Sequence, residues 1–108
     1  QLEKYTSSGG DVEIRNETDK EITFGDWYEI QAEVNGKWFP LPYIIENAAF
    51  HQVAYNAPKN ETVICEVKWD VFYGELPKGR YRIIKDMLDF RGTGDYTKYY
   101  LAAEFEIK

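Results

Sequence analysis

The side chains able to do chemistry in this sequence are few and scattered. His51 is the only histidine and Cys65 the only cysteine. A thiol nucleophile needs a base within hydrogen-bond reach and a lowered pKa. Cys65 instead belongs to the alternating set Val63, Cys65, Val67 and Trp69, with Glu66 and Lys68 on the opposite face. An inward cysteine behaves as a small, inert hydrophobe. His51 reads as a loop or edge residue, and no partner for a Cys–His pair can be identified.

The carboxylates are plentiful but dispersed. Glu29, Glu33, Glu104 and Glu106 fall on outward positions of alternating runs, whereas glycoside chemistry needs two acids facing each other across a cleft. Asp86, Asp89 and Asp95, with Gly92 and Gly94 nearby, offer oxygens of the kind calcium accepts, but their spacing matches no EF-hand loop. Gly92-Thr93-Gly94 lacks the strand–loop–helix context and the following Lys-Ser/Thr of a phosphate loop. No catalytic residue, metal site or cofactor is therefore expected, and the chain is not expected to be an enzyme. Asn16-Glu17-Thr18 and Asn60-Glu61-Thr62 fit the glycosylation sequon; both read as chance matches at turns.

The aromatic residues carry more signal. The chain has nine Tyr, six Phe and three Trp, more than the inward positions of its strands accommodate. Trp27, Trp38, Phe39, Tyr43, Tyr73, Tyr96 and Tyr100 are the surplus. Exposed rings stack on sugars or anchor protein partners. Trp27, Trp38, Phe39 and Tyr43 are the candidate ligand-binding residues on this ground. The competing reading has Trp38 and Phe39 covering one end of the fold and the tyrosines lying flat across strands.

The elements that must position these residues are strands. Val12–Asn16 and Glu21–Phe24 alternate apolar and polar residues. Tyr28, Ile30, Ala32 and Val34 alternate with Glu29, Gln31 and Glu33, and Asn35-Gly36 follows directly. Asn-Gly is the preferred pair for a type I′ hairpin, because both central residues need positive φ. Pro40 and Pro42 lack ladder donors and stop regular pairing. Glu46–Phe50 reads as a helical turn or loop, His51–Tyr55 as a short edge strand and Asn56–Asn60 as a turn. A long strand ends at Trp69, a short helical turn covers Asp70–Glu75, and Leu76-Pro77-Lys78-Gly79 is a tight turn into Tyr81–Ile84. Leu88–Tyr96 reads as a loop. In the last strand Tyr99, Leu101, Ala103, Phe105 and Ile107 are predicted to face inwards. Residues 1–11 are predicted to be a flexible arm, and residues 12–108 one domain. About seven strands at short spacing, without an amphipathic helix, predict an all-β sandwich or small barrel.

Composition bounds the function. A chain of 108 residues makes about one domain and buries a core without staples. The net charge of −6 and pI near 4.8 disfavour nucleic acid and anionic lipid surfaces. A single cysteine allows no internal disulfide. No apolar run approaches a membrane span, and no signal peptide is present. Because the chain starts at Gln1, it is read as a mature form or excised piece, so that an upstream export signal could have been removed.

Leu76-Pro77-Lys78-Gly79-Arg80-Tyr81-Arg82-Ile83 resembles an immunoglobulin-type corner, in which a tyrosine after a Gly-containing turn bonds back to upstream backbone. With Asn16–Gly25, Gly94-Asp95 and Tyr100–Phe105, the chain resembles a family of bacterial immunoglobulin-like domains found in envelope and secreted proteins of Gram-positive bacteria. The inter-sheet cysteine pair of antibody domains is absent, and the resemblance puts Ile14 and Ile83 in the equivalent places. Trp69 is a better core tryptophan than Trp27. The resemblance implies an immunoglobulin-like β-sandwich of about seven antiparallel strands. It also implies a non-catalytic accessory or interaction module of an extracellular or cell-envelope protein, whose partners are neighbouring domains or another protein. A polysaccharide, bound by Trp27, Trp38 and Tyr43, is the alternative ligand; a protein inhibitor acting through end loops is another.

Overall fold

A computed structural model describes residues 2–45, 50, 55–92 and 94–108. His51, most of the Glu46–Phe50 segment and most of the His51–Tyr55 segment lie outside the described residues. Eight strands and one short helix follow in order: β1 (Leu2–Tyr5), β2 (Gly10–Arg15), β3 (Ile22–Val34), β4 (Lys37–Pro40), β5 (Tyr55–Ala57), β6 (Thr62–Val67), α1 (Asp70–Tyr73), β7 (Gly79–Gly92) and β8 (Asp95–Ile107). One sheet has the order β1-β2-β6. The other has the order β4-β3-β7-β8, with β5 also paired to β3. All pairings are antiparallel.

The two sheets pack face to face, as alternating sequences with one apolar face must. Val12, Ile14 and Val67 of the smaller sheet meet Tyr28, Ile30, Ile83 and Phe105 of the larger one in a single core. Ile14 and Ile83 are both buried, one in each sheet, and belong to the shared apolar core. Trp69 is fully buried and stacks on Phe105 with ring centroids 5.0 Å apart. The fold is thus the immunoglobulin-like β-sandwich expected, with Trp69 as its core tryptophan.

Local signals held at the turns. Asn35 and Gly36 have φ of 53° and 79°, and they join β3 to β4 in the register Val34↔Lys37. The Tyr81 hydroxyl donates to the Pro77 carbonyl over 2.7 Å, which is the tyrosine corner. The sequon residue Asn16 is buried. Its amide donates to the carbonyls of Lys20 and Ala57 at 2.6 and 2.8 Å, so this asparagine ties β2 to β5 and is closed to glycosylation.

Three expectations are corrected. Residues Leu2–Tyr5, read as part of an arm, form β1 on the edge of the smaller sheet, with Leu2 buried. The polar link behind it is tied to the end of the sandwich. The Ser7 carbonyl accepts from Trp69 Nε1 and from the Leu76 amide, each at 2.9 Å, and a Cβ on Gly9 would collide with the Val67 carbonyl. Leu88–Tyr96, read as a loop, is in its described residues the continuation of a long β7–β8 hairpin whose ladder runs from Gly79↔Ile107 to Gly92↔Asp95. Finally, only Phe105 of the inward set of β8 is buried; Ala103 and Ile107 are half-buried, and Tyr99 and Leu101 are exposed. The cause is a mismatch in length. Strands of four and six residues cannot cover a strand of 13.

Candidate interaction surface

The outer face of the larger sheet collects side chains that period-2 alternation turns away from the core. Tyr28, Ile30 and Ala32 of β3 point inwards, so Glu29, Gln31 and Glu33 point out. Glu33 sits opposite Trp38 of β4, which puts that indole on the same face. The Arg82 guanidinium lies 4.6 Å from the Trp38 ring centroid. Arg82 Nε donates to Gln31 Oε1 over 2.7 Å, and Gln31 Nε2 donates to Glu29 Oε2 over 2.6 Å. Planar guanidinium on indole is a favourable cation–π geometry, and here hydrogen bonds hold the cation in place. Arg80 lies between Glu33 and Glu104 at 3.6 and 3.5 Å.

Trp27 occupies the other end of this face because β3 bulges. The register jumps from Phe24↔Met87 to Tyr28↔Lys85, so Gly25, Asp26 and Trp27 oppose a single β7 residue. Bulges re-aim side chains, and Trp27 meets Tyr100 of β8 with centroids 6.2 Å apart and planes 72° apart. Beneath the bulge, Lys85 is almost fully buried. Its ammonium donates to the carbonyls of Gly25 and Trp27, two residues of the bulge that have no register partner on β7. Burial pushes the Lys85 pKa down, partly offset by Cys65, Asp86 and Asp26.

Phe39 and Tyr43 lie elsewhere. Phe39 sits opposite Ala32, on the inward side of the sheet edge, yet is 49% exposed. Tyr43 packs on α1, 5.1 Å from the Tyr73 ring and 5.8 Å from Phe72. The Ile44 amide donates to the Phe72 carbonyl over 2.7 Å. Of the four aromatic candidates, Trp27 and Trp38 thus share a face, while Phe39 and Tyr43 belong to the opposite side. Tyr73, counted among the surplus aromatics, is buried. Tyr100, one of the surplus aromatics, joins this face beside Trp27; Arg82 and Gln31 are not among the candidates read from the sequence, although parity with Arg80 and Glu29 marks them as outward.

Among the described residues, Cys65 and the aspartates weighed for chemistry are not brought together into one site. Burial pushes the Cys65 thiol pKa up, with a smaller lowering from Lys85, the reverse of an activated nucleophile. Asp86 faces out beside Lys98 at 3.8 Å, while Asp89 is buried on the other side of β7, 3.7 Å from Lys20. Among the described residues no three His, Cys, Asp or Glu side chains are grouped to hold a metal ion. An open, mostly apolar cleft of about 450 Å³ lies between the sheets at one end, bounded by Ile14, Met87, Tyr99 and Leu101 among others.

This architecture, with its tyrosine corner, buried tryptophan and two antiparallel sheets, defines an immunoglobulin-like module. The chain belongs to the bacterial Ig-like domain family, whose family model matches residues 1–106. No curated protein matches the chain, and neither does any solved structure. As a member of that family it is a non-catalytic accessory or interaction module. No helix among the described residues is long and apolar enough to cross a membrane.

Proposed function

We propose that this module works in the cell envelope or in a secreted protein, where it presents the outer face of the larger sheet to a neighbouring domain or another protein. The observation that supports this reading is the ordered array of Trp38, Arg82, Gln31 and Glu29 on a rigid sheet. Tryptophan and arginine dominate protein–protein hot spots, and pre-organised side chains lose less entropy when a partner binds. A protein contact suits the face better than a polysaccharide. One side of Trp38 is occupied by Arg82, and Trp27 and Tyr100 stand nearly perpendicular, whereas stacking on successive sugars favours coplanar, open rings.

Affinity electrophoresis against soluble cell-wall and plant polysaccharides separates the two readings, with Trp27→Ala and Trp38→Ala as controls. No retardation is expected. In parallel, a photo-crosslinking residue at position 38 in the intact parent protein should couple to a discrete protein segment. Retardation that disappears in a folded tryptophan variant would replace the protein partner with a polysaccharide.

A further inference from the structure

Strand β8 is an edge of the larger sheet and, among the described strands, is laddered only to β7. Every residue from Asp95 to Ala102 is exposed, including Tyr99 (45%), Tyr100 (63%) and Leu101 (47%). Long edges with apolar side chains are templates for a further strand. We propose that the domain self-associates through this edge, two copies pairing antiparallel about a two-fold axis at Leu101 so that their larger sheets become one.

The side chains of β8 are self-complementary in this arrangement. A two-fold axis perpendicular to the sheet keeps each face continuous only if it passes through a residue position, and it makes the interface isologous. Centring on Lys98 sets two ammonium groups opposite each other. Centring on Leu101 sets Lys98 opposite Glu104, Tyr99 opposite Ala103, Tyr100 opposite Ala102 and Leu101 opposite itself. Large residues meet small ones, opposite charges meet, and apolar Leu101 gains an apolar neighbour. Cross-strand pairs of these kinds are the favourable ones. Phe105, buried against Trp69 and Tyr81, stays in its own core.

Charge supplies a further argument. Within one copy Arg80 lies 3.5 Å from Glu104, and Lys98 lies 3.8 Å from Asp86. Pairing about Leu101 joins these two loose, exposed pairs into the sequence Arg80, Glu104, then Lys98 and Asp86 of the second copy, alternating in sign and occurring twice by symmetry. The same pairing brings the two Leu101 side chains together at the mouth of the cleft that Leu101 and Tyr99 line. A contact of one strand pair is small, so the dimer is of the weak, transient kind.

Sedimentation equilibrium from micromolar to millimolar protein tests this. The native chain should dimerise. K98E and E104K should each weaken self-association by about tenfold or more, because each sets like charges opposite one another twice. An equimolar mixture of the two variants should associate again, since every facing pair is then of opposite sign. Circular dichroism confirms that each variant is folded, and Trp38→Ala should leave dimerisation unchanged. A native chain monomeric at millimolar concentration overturns the proposal. So does a dimer indifferent to either swap, or a mixture that fails to associate.

Discussion

The ammonium of Lys85, inside the sandwich, donates to the backbone carbonyl of Trp27 over 3.1 Å. The same group donates to the Gly25 carbonyl over 3.0 Å and lies 5.8 Å from the centre of the Phe24 ring. A core lysine thus shapes the bulge that displays a surface tryptophan. Replacing it with methionine keeps the packing volume but removes both of these hydrogen bonds. Lys85→Met should lose about 1–3 kcal/mol of stability and speed hydrogen exchange across residues 25–27.

The same lysine carries a pH signature. Its pKa is lowered from the ordinary 10.5 by burial. Between the lowered value and 10.5 the unfolded chain holds a proton that the folded chain does not, so stability rises with pH through that window. Below the window the penalty for burying the charge is fully present. The neutral amine still donates its hydrogen bonds. The stability advantage of the native chain over Lys85→Met should therefore grow as pH rises towards 10.5, as urea denaturation of both proteins can measure.

The bond from the Tyr81 hydroxyl to the Pro77 carbonyl closes the corner between α1 and β7. Tyr81 is buried and its ring packs on Phe105 at 5.8 Å, so phenylalanine can keep the packing and lose only the hydroxyl. Tyr81→Phe should lose about 1 kcal/mol, lowering Tm by about 4–8 °C. Calorimetry measures it. An unchanged Tm would mean that the corner is held by the backbone and by packing of the ring alone.

Much of this fold is legible in the sequence because its signals are local. Asn35-Gly36 encodes its own turn, Tyr81 follows a recognisable Gly-containing turn, and Trp69 continues the parity of Val63 and Val67. What escaped depends on lengths and partners. Residues 1–11 are polar and glycine-bearing, yet β1 is seated by buried Leu2, by Tyr5 edge-on to Phe105 and by its ladder to β2. Gly92 and Gly94 suggest a loop, although a hairpin between two long strands needs them only at its reversal. Tyr99 and Leu101 have inward parity, but parity cannot reveal that the facing sheet ends too soon to cover them. For the candidate surface, alternation separates Trp38 from Phe39. It cannot place Trp27, because the bulge breaks the alternation just before Tyr28.

Asn16 offers a test of polar order in the core. Besides its two donated bonds, its Oδ1 accepts from the Thr18 amide over 3.1 Å and from the Thr18 hydroxyl over 2.5 Å. Asn16→Ala removes donors and acceptor together and should lose about 2–3 kcal/mol, as loss of a buried hydrogen-bond network does. Asn16→Asp keeps the shape but turns a carboxylate towards the carbonyls of Lys20 and Ala57. It should be less stable still at neutral pH and recover in acid, where the protonated group can donate again. Chemical denaturation at two pH values distinguishes these outcomes.

Tyr28 is the converse case, a buried polar group whose loss should help. Its hydroxyl is buried with no hydrogen-bond partner among the described residues, while its ring packs edge-on against Phe50 and Phe72 at 5.3 and 6.1 Å. Tyr28→Phe keeps those ring contacts and removes the stranded hydroxyl. Stability should be unchanged or raised by about 1–2 kcal/mol at neutral pH. Burial, then the neighbouring Tyr43 and Asp70, pushes the Tyr28 pKa above the ordinary 10.0, and burial does the same for Tyr73. Both phenols leave stability intact below pH 10. Above it the unfolded chain ionises first and stability is lost as pH rises. Tyr28→Phe should therefore lose less stability than the native chain between neutral pH and the alkaline limb, followed by urea denaturation alongside tyrosinate absorbance. An equal loss in both proteins would show that Tyr28 contributes nothing to alkaline unfolding and that its hydroxyl reaches solvent without cost.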